Sequence, residues 1–181
     1  NLVAHGLWAG GPQQAGLRAG DEIIVSGLEH HANLLPWQQA ARQSGAVLRI
    51  LRPDAQGRLH AADLQALLSP RTRVLALTAS ANATGERPPY EDLLRMAAQA
   101  GALTVLDAAQ AAAHAMPALG GLDCDFLAFS SHKMHGPMGI GVLVGRRRAL
   151  ERLEPLRLGG DMVAQVRWDS ASNTLELGSI Q

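Results

Sequence analysis

Short, almost wholly apolar runs alternate along the chain with longer stretches in which apolar residues recur every three or four positions. The short runs are residues 22–26, 46–51, 73–78, 103–106, 126–129 and 140–144. They are rich in Ile, Val and Leu and are bounded by Gly, Asp, Ser or Pro, so they predict six buried strands. In residues 33–44, Leu34, Leu35, Trp37, Ala40 and Ala41 have the spacing of an amphipathic helix. Residues 61–68 predict a second helix, with Asp63 early in it and Pro70 as its stop. Residues 90–100 predict a third, closed by Gly101. The alanine-rich stretch 108–115 reads as a tightly packed helix, residues 1–8 carry a helical apolar pattern, and residues 174–177 are strand-like. Strand, helix, strand in this order predicts an α/β fold: a three-layer sandwich whose mostly parallel sheet is covered on both faces. No internal repeat or low-complexity segment interrupts it.

The polar residues that stand out fall just after strand ends. His30 follows the first run, Asn82 the third, Asp107 ends the fourth, and Ser130 and Lys133 follow the fifth. Ligands of open α/β sheets bind beyond the carboxyl ends of the strands, so these positions are expected to converge on one edge of the sheet.

Composition narrows the function classes. The chain has 181 residues, 47% of them hydrophobic, enough for one core or a large piece of a bigger one. Sixteen basic and sixteen acidic side chains cancel, and Arg146-Arg147-Arg148 is the one basic run, read as opening a solvated helix. No nucleic-acid partner is expected. No apolar stretch approaches the ~20 residues that span a bilayer, so no membrane association is expected. No metal site is expected either. The single cysteine, Cys124, excludes an internal disulfide framework and fits a reducing, cytoplasmic setting. The ends of the chain read as the middle of a longer polypeptide.

Of the 16 basic residues one alone is lysine, Lys133, in Phe129-Ser130-Ser131-His132-Lys133. Arginine stays protonated and cannot act as a nucleophilic amine; lysine can lose its proton and condense with a carbonyl. A lysine amine, an aspartate at a strand mouth, an amide and imidazoles around one pocket suit pyridoxal 5'-phosphate. Its aldehyde takes the amine, and its pyridine nitrogen needs a carboxylate to stay protonated. Asp107 can be that carboxylate or a cap of the segment after it. His30 is preferred to adjacent His31 for the ring face. Asn82 can serve the ring or merely supply turn geometry. Gln110 can be an exposed helix residue, and His132 a turn cap. Trp37 reads as core packing.

Five blocks carry a family resemblance: Gly20-Asp21-Glu22-Ile23-Ile24-Val25, Glu29-His30-His31-Ala32-Asn33-Leu34-Leu35-Pro36-Trp37, Ala81-Asn82-Ala83-Thr84-Gly85, Asp107-Ala108-Ala109-Gln110, and Asp125 through Leu143 with His132-Lys133-Met134-His135-Gly136-Pro137-Met138-Gly139-Ile140-Gly141. In order and spacing the chain resembles the class V aminotransferase family of fold-type I enzymes, and within it cysteine desulfurases of the type that includes selenocysteine lyases. The resemblance implies that residues 1–181 are the central part of the cofactor-binding large domain. It implies that Lys133 holds pyridoxal phosphate and moves protons on the substrate, that Asp107 pairs with the pyridine nitrogen, and that Gln110 and Asn82 lie near the ring's phenolic oxygen. His30 would stack on the ring, and Ser130 and His132 would bind the phosphate. Ser179, where the family usually has threonine, would reach a partner's phosphate in a homodimer. The implied reaction takes sulfur from L-cysteine, yields L-alanine and leaves a persulfide on an enzyme cysteine, with a sulfur-acceptor protein as a further partner in sulfur metabolism or iron–sulfur cluster assembly.

Cys124, between Asp123 and Asp125, does not match that cysteine, because neighbouring carboxylates raise a thiol pKa. The persulfide cysteine, the arginine for the substrate carboxylate and a phosphate-binding threonine segment are expected outside residues 1–181, and this segment alone is expected to show little or no desulfurase activity. The alternatives are a selenocysteine lyase, an epimerase or kynureninase-like member of the family, and a non-catalytic scaffold that binds a sulfur acceptor. A dinucleotide-binding domain is disfavoured, since no glycine-rich turn follows the first strand.

Overall fold

The computed structural model of the chain describes residues 1–10, 16–157, 159, 163–166 and 171–173. Helix α1 (Leu2–Ala9) leads to strand β1 (Glu22–Ser26), a 3-10 turn (His31–Asn33) and α2 (Leu35–Ser44). Then come β2 (Val47–Leu51), α3 (Ala61–Leu67), β3 (Thr72–Thr78), α4 (Tyr90–Gln99), β4 (Leu103–Asp107) and α5 (Ala112–Gly120). Strand β5 (Phe126–Ser130), a 3-10 turn (Ser131–Met134), β6 (Gly141–Gly145) and α6 (Arg147–Leu150) follow, and then a small ribbon of β7 (Val163–Val166) and β8 (Ala171–Asn173).

Six strands form one sheet in the order β2-β1-β3-β4-β5-β6. All pairings are parallel except β5 with β6, which is antiparallel. The chain leaves β1 for β2 on one side and comes back to β3 on the other. That reversal of strand order opens a crevice at the carboxyl ends of β1 and β3.

Alternate residues of each strand serve opposite faces. Ile24, Leu75, Leu77 and Leu106 pack with Leu64, Leu93, Leu94 and Ala97 on one side of the sheet. Ile23, Val25, Val74, Ala76, Val105 and Phe126 pack with Val3, Leu7, Trp37 and Ala149 on the other. Both faces are covered, which is why the strands read as continuous apolar runs.

Packing rather than capping holds the helices. Helix α4 has no side-chain N-cap, although Glu91 and Asp92 in its first turn suit the helix dipole. A cap contributes about 1 kcal/mol. Leu93 and Leu94, both fully buried, contribute about 1.5–3 kcal/mol each. Gly101, at φ +83°, takes the left-handed conformation that ends the segment, as its position after residues 90–100 predicts.

The β7–β8 ribbon was not expected from the sequence, and one expected helix differs. The stretch 108–115 is not one helix: residues 108–111 form a turn, α5 starts at Ala112, and Ala115 is kinked (φ −137°). Alanine favours helix, but the Asp107 side chain takes the Ala109 N–H and starts a turn there instead. The strand-like residues 174–177 and Ser179 lie outside the described residues. Among the described residues no helix is long and apolar enough to cross a membrane.

Candidate active site

The carboxyl ends of β1, β3, β4 and β5 border a cavity of about 600 Å³, within the size range of small-molecule sites. His30, Asn82, Asp107, Gln110, Ser130, His132 and Lys133 all line it. These seven residues come from four separate chain segments. His31 is exposed and does not line the cavity; its ring centroid is 6.0 Å from that of His30.

Lys133 sits in the ten-residue link from β5 to antiparallel β6. The link is closed at its base by Ser131 N–H, which donates to the Ile140 carbonyl (3.1 Å). Within it, Gly136 N–H donates to the Ser131 carbonyl at 3.0 Å. His135 ends the 3-10 turn in the left-handed conformation (φ 62°), which is uncommon for a residue other than glycine. The half-buried lysine is therefore carried on a short, hydrogen-bonded turn.

Of the two roles left open from sequence, Asp107 makes the backbone contact to the segment after it and keeps its other oxygen toward the cavity. Its Oδ1 accepts a hydrogen bond from Ala109 N–H at 2.9 Å, while Oδ2 has no protein donor among the described residues. In register, Asp107 stands beside Thr78 on β3 and Ala128 on β5. Gln110 follows in the turn, not on a helix, which brings it to the cavity. Asn82 also lies in a turn, but it does so at negative φ, so left-handed tolerance is not what the position requires.

His30 Nδ1 accepts a hydrogen bond from Ala32 N–H at 3.1 Å. In the neutral ring the proton is then on Nε2. Trp37 is buried, as its helical position predicts, and its Nε1 donates to Asn33 Oδ1 (3.1 Å) while the ring also closes one wall of the cavity.

Sequence reasoning gave Glu29 no individual role. Its carboxylate accepts hydrogen bonds from Ser26 Oγ, from Asn33 Nδ2 (2.6 Å) and from Thr78 N–H (2.7 Å). Burial pushes its pKa up to about 7; those three hydrogen bonds oppose the rise and Asp107 adds to it. A glutamate three residues after a wholly buried strand was the available signal.

Cys124 packs against the α4–α5 side of the sheet, away from the cavity. Burial pushes its thiol up to about 11; Asp125 and Asp123 add to the rise and Arg146 opposes it. The direction agrees with expectation, but burial outweighs the carboxylates. Arg146, Arg147 and Arg148 open α6 and pair with Asp123, Glu151 and Asp125. No cluster of potential metal ligands occurs among the described residues.

The donor set fits pyridoxal phosphate. Among the seven residues named, one cavity holds an amine (Lys133), a carboxylate (Asp107) with one oxygen unpaired among the described residues, two amides, two imidazoles and a hydroxyl. That cofactor takes a lysine amine as its Schiff base and an acidic partner at its pyridine nitrogen.

A family model described as Aminotransferase class-V matches residues 1–178. A probable cysteine desulfurase of Pseudomonas aeruginosa is 46% identical over 172 residues, covering 95% of this chain and 41% of the relative. A cysteine desulfurase of Synechococcus elongatus is 41% identical over 169 residues, 93% of this chain and 26% of the relative. Among solved structures, the cysteine desulfurase CsdA of Escherichia coli in its S-sulfonic acid form superposes with a TM-score of 0.84 at 43% identity, over 96% of this chain and 42% of that one. The apo cysteine desulfurase of Thermococcus onnurineus also gives 0.84, at 36% identity, over 96% of this chain and 42% of that one. The chain thus spans less than half the length of the relatives it matches.

Proposed function

The chain belongs to the class-V aminotransferase family, and from that premise we propose that the whole protein is a pyridoxal-phosphate-dependent cysteine desulfurase, of which residues 1–181 form the central part of the large domain. The observation that carries the reading is the meeting of Lys133, Asp107 and His30, from three strand ends, at one cavity. L-Cysteine and an enzyme thiol would give L-alanine and an enzyme persulfide, a balanced exchange with no external oxidant or reductant. Cys124 is not that thiol, because at about 11 its pKa leaves almost no thiolate at neutral pH.

Bound pyridoxal phosphate supplies an aldehyde and an electron-withdrawing ring that stabilises charge at the substrate's α-carbon. Lys133 would hold it through its amine and would afterwards carry a proton to or from that carbon. Asp107 Oδ2 would keep the pyridine nitrogen protonated, while its Oδ1, held by Ala109 N–H, fixes the carboxylate's orientation. His30 would cover the ring face and exchange protons at Nε2, the nitrogen left free by Ala32. Ser130 and His132 would take the phosphate, and Asn82 and Gln110 the ring's phenolic oxygen. The Gly178-Ser179 pair supports a homodimer in which Ser179 serves the neighbouring site.

The test is borohydride reduction of the full-length protein loaded with pyridoxal phosphate, followed by peptide mass spectrometry and assays of alanine and persulfide from L-cysteine. The reading expects a pyridoxyl label on Lys133 and equal amounts of the two products. A label elsewhere, or no alanine, overturns it.

A further inference from the structure

Glu29 follows β1, and the turn that carries His30 begins at the next residue. The carboxylate reaches two separate parts of the site. Its Oε2 accepts from Asn33 Nδ2 at 2.6 Å, and Asn33 is also tied to His30, since Asn33 N–H donates to the His30 carbonyl at 2.8 Å. Its Oε1 accepts from the Thr78 N–H at 2.7 Å and from the Ser26 hydroxyl. Thr78 is the register partner of Asp107 at the end of β3. One side chain therefore joins the His30 turn to the strand end beside Asp107.

We infer that Glu29 is a positioning residue that sets the His30 ring relative to Asp107 across the cavity. The inference rests on the reading of the cavity given above, and concerns a residue that does not itself line it.

The donors require a carboxylate. Hydrogen bonds arrive at both oxygens, and an amide offers only one acceptor. Asn33 cannot turn to compensate, because its Oδ1 is held by the Trp37 indole, which can only donate (3.1 Å). An amide at position 29 would leave two NH₂ groups facing each other, or would leave the Thr78 N–H unmet. An unmet or opposed buried polar group is costly enough to move a turn. Burial brings the carboxyl up to about 7, and the three donors oppose that rise by favouring the charged form.

The experiment uses the full-length protein, with Glu29→Gln and the double change Glu29→Gln/Asn33→Asp. In the double variant donor and acceptor exchange ends, so the contacts to Thr78, Ser26 and Trp37 are all retained. Two readouts are compared: kcat and KM for alanine release from L-cysteine, and ¹⁵N–¹H spectra of the His30 ring in cofactor-free protein. We expect Glu29→Gln to lower kcat roughly 10- to 100-fold with little change in KM, and to shift the His30 signals. We expect the double variant to recover kcat to within about threefold of wild type and to return the signals. Unmoved His30 signals in Glu29→Gln overturn the inference, as does a double variant that is no faster than the single one or does not fold. If the wild type releases no alanine, the desulfurase reading falls, and the His30 spectra still decide whether Glu29 positions the ring.

Discussion

Asp107 Oδ1 accepts a hydrogen bond from the Ala109 backbone N–H at 2.9 Å, so one oxygen of this carboxylate shapes the turn after β4 while the other is left to the cavity. Substitution can separate the two. Asparagine keeps the acceptor and loses the charge; alanine loses both. Asp107→Asn should retain wild-type thermal stability and cofactor content yet lower turnover at least about 100-fold, because the ring nitrogen loses its anionic partner. Asp107→Ala should lose the same turnover and about 1 kcal/mol of stability in addition. Denaturation curves and steady-state kinetics of the full-length variants distinguish them, and near-normal turnover in Asp107→Asn would remove the proposed role.

Lys133→Arg keeps the positive charge and removes the nucleophilic amine. It should abolish the borohydride-trapped label and alanine release, while the cofactor still binds non-covalently. Retained trapping at another residue would contradict the assignment.

Glu29 predicts a signed pH dependence. Its folded-state pKa is raised from 4.5 to about 7. A raised carboxyl binds its proton more tightly in the folded state, so its favourable contribution is fully present below 4.5 and is lost as pH rises through about 7. Relative to Glu29→Gln, wild-type stability should therefore fall across that window, by at most about 3 kcal/mol. Residual solvent contact of the carboxylate reduces the figure. Paired urea titrations at pH 4.5 and pH 8 measure it, and an unchanged difference would refute it.

Gly6 permits the close approach of α1 to residues 153 and 154. A Cβ there would stand 2.7 Å from Leu153 Cβ and 3.0 Å from the Glu154 carbonyl oxygen, and Glu154 N–H donates to the Gly6 carbonyl at 3.1 Å. Gly6→Ala should cost about 1–3 kcal/mol by overpacking. Because Asn1, Leu2, Val3 and Ala4 also line the cavity, bound cofactor should be less tightly held. Calorimetry and a cofactor titration test both effects.

Cys124→Ala should leave alanine release within about twofold of wild type, since its high thiol pKa and distance from the cavity exclude it as sulfur carrier. Loss of persulfide formation in this variant would reverse that conclusion.

Much of this was readable in one dimension. Strands β1, β3 and β4 are buried on both faces along their middles, so Ile23–Val25, Val74–Leu77 and most of Leu103–Leu106 are apolar and the runs stand out without any partner being known. His30, Asp107, Ser130 and Lys133 were conspicuous because chemistry-bearing side chains directly follow such runs. The 108–111 turn was not legible: alanine propensity favours helix, and the competing bond from Ala109 N–H to the Asp107 side chain depends on local conformation.

What the chain determined by itself is the periodic pattern, and with it the six strands of the main sheet and the polar groups at their ends, because burial selects apolar residues position by position. What only the tertiary structure decided is which ends become neighbours and what environment they share. Thr78 meets Glu29 across 49 residues because β3 docks beside β1; burial there carries a plain glutamate up to about 7, and the Thr78 contact holds the rise back. Distances and dielectric surroundings belong to the folded arrangement, not to any residue in the sequence.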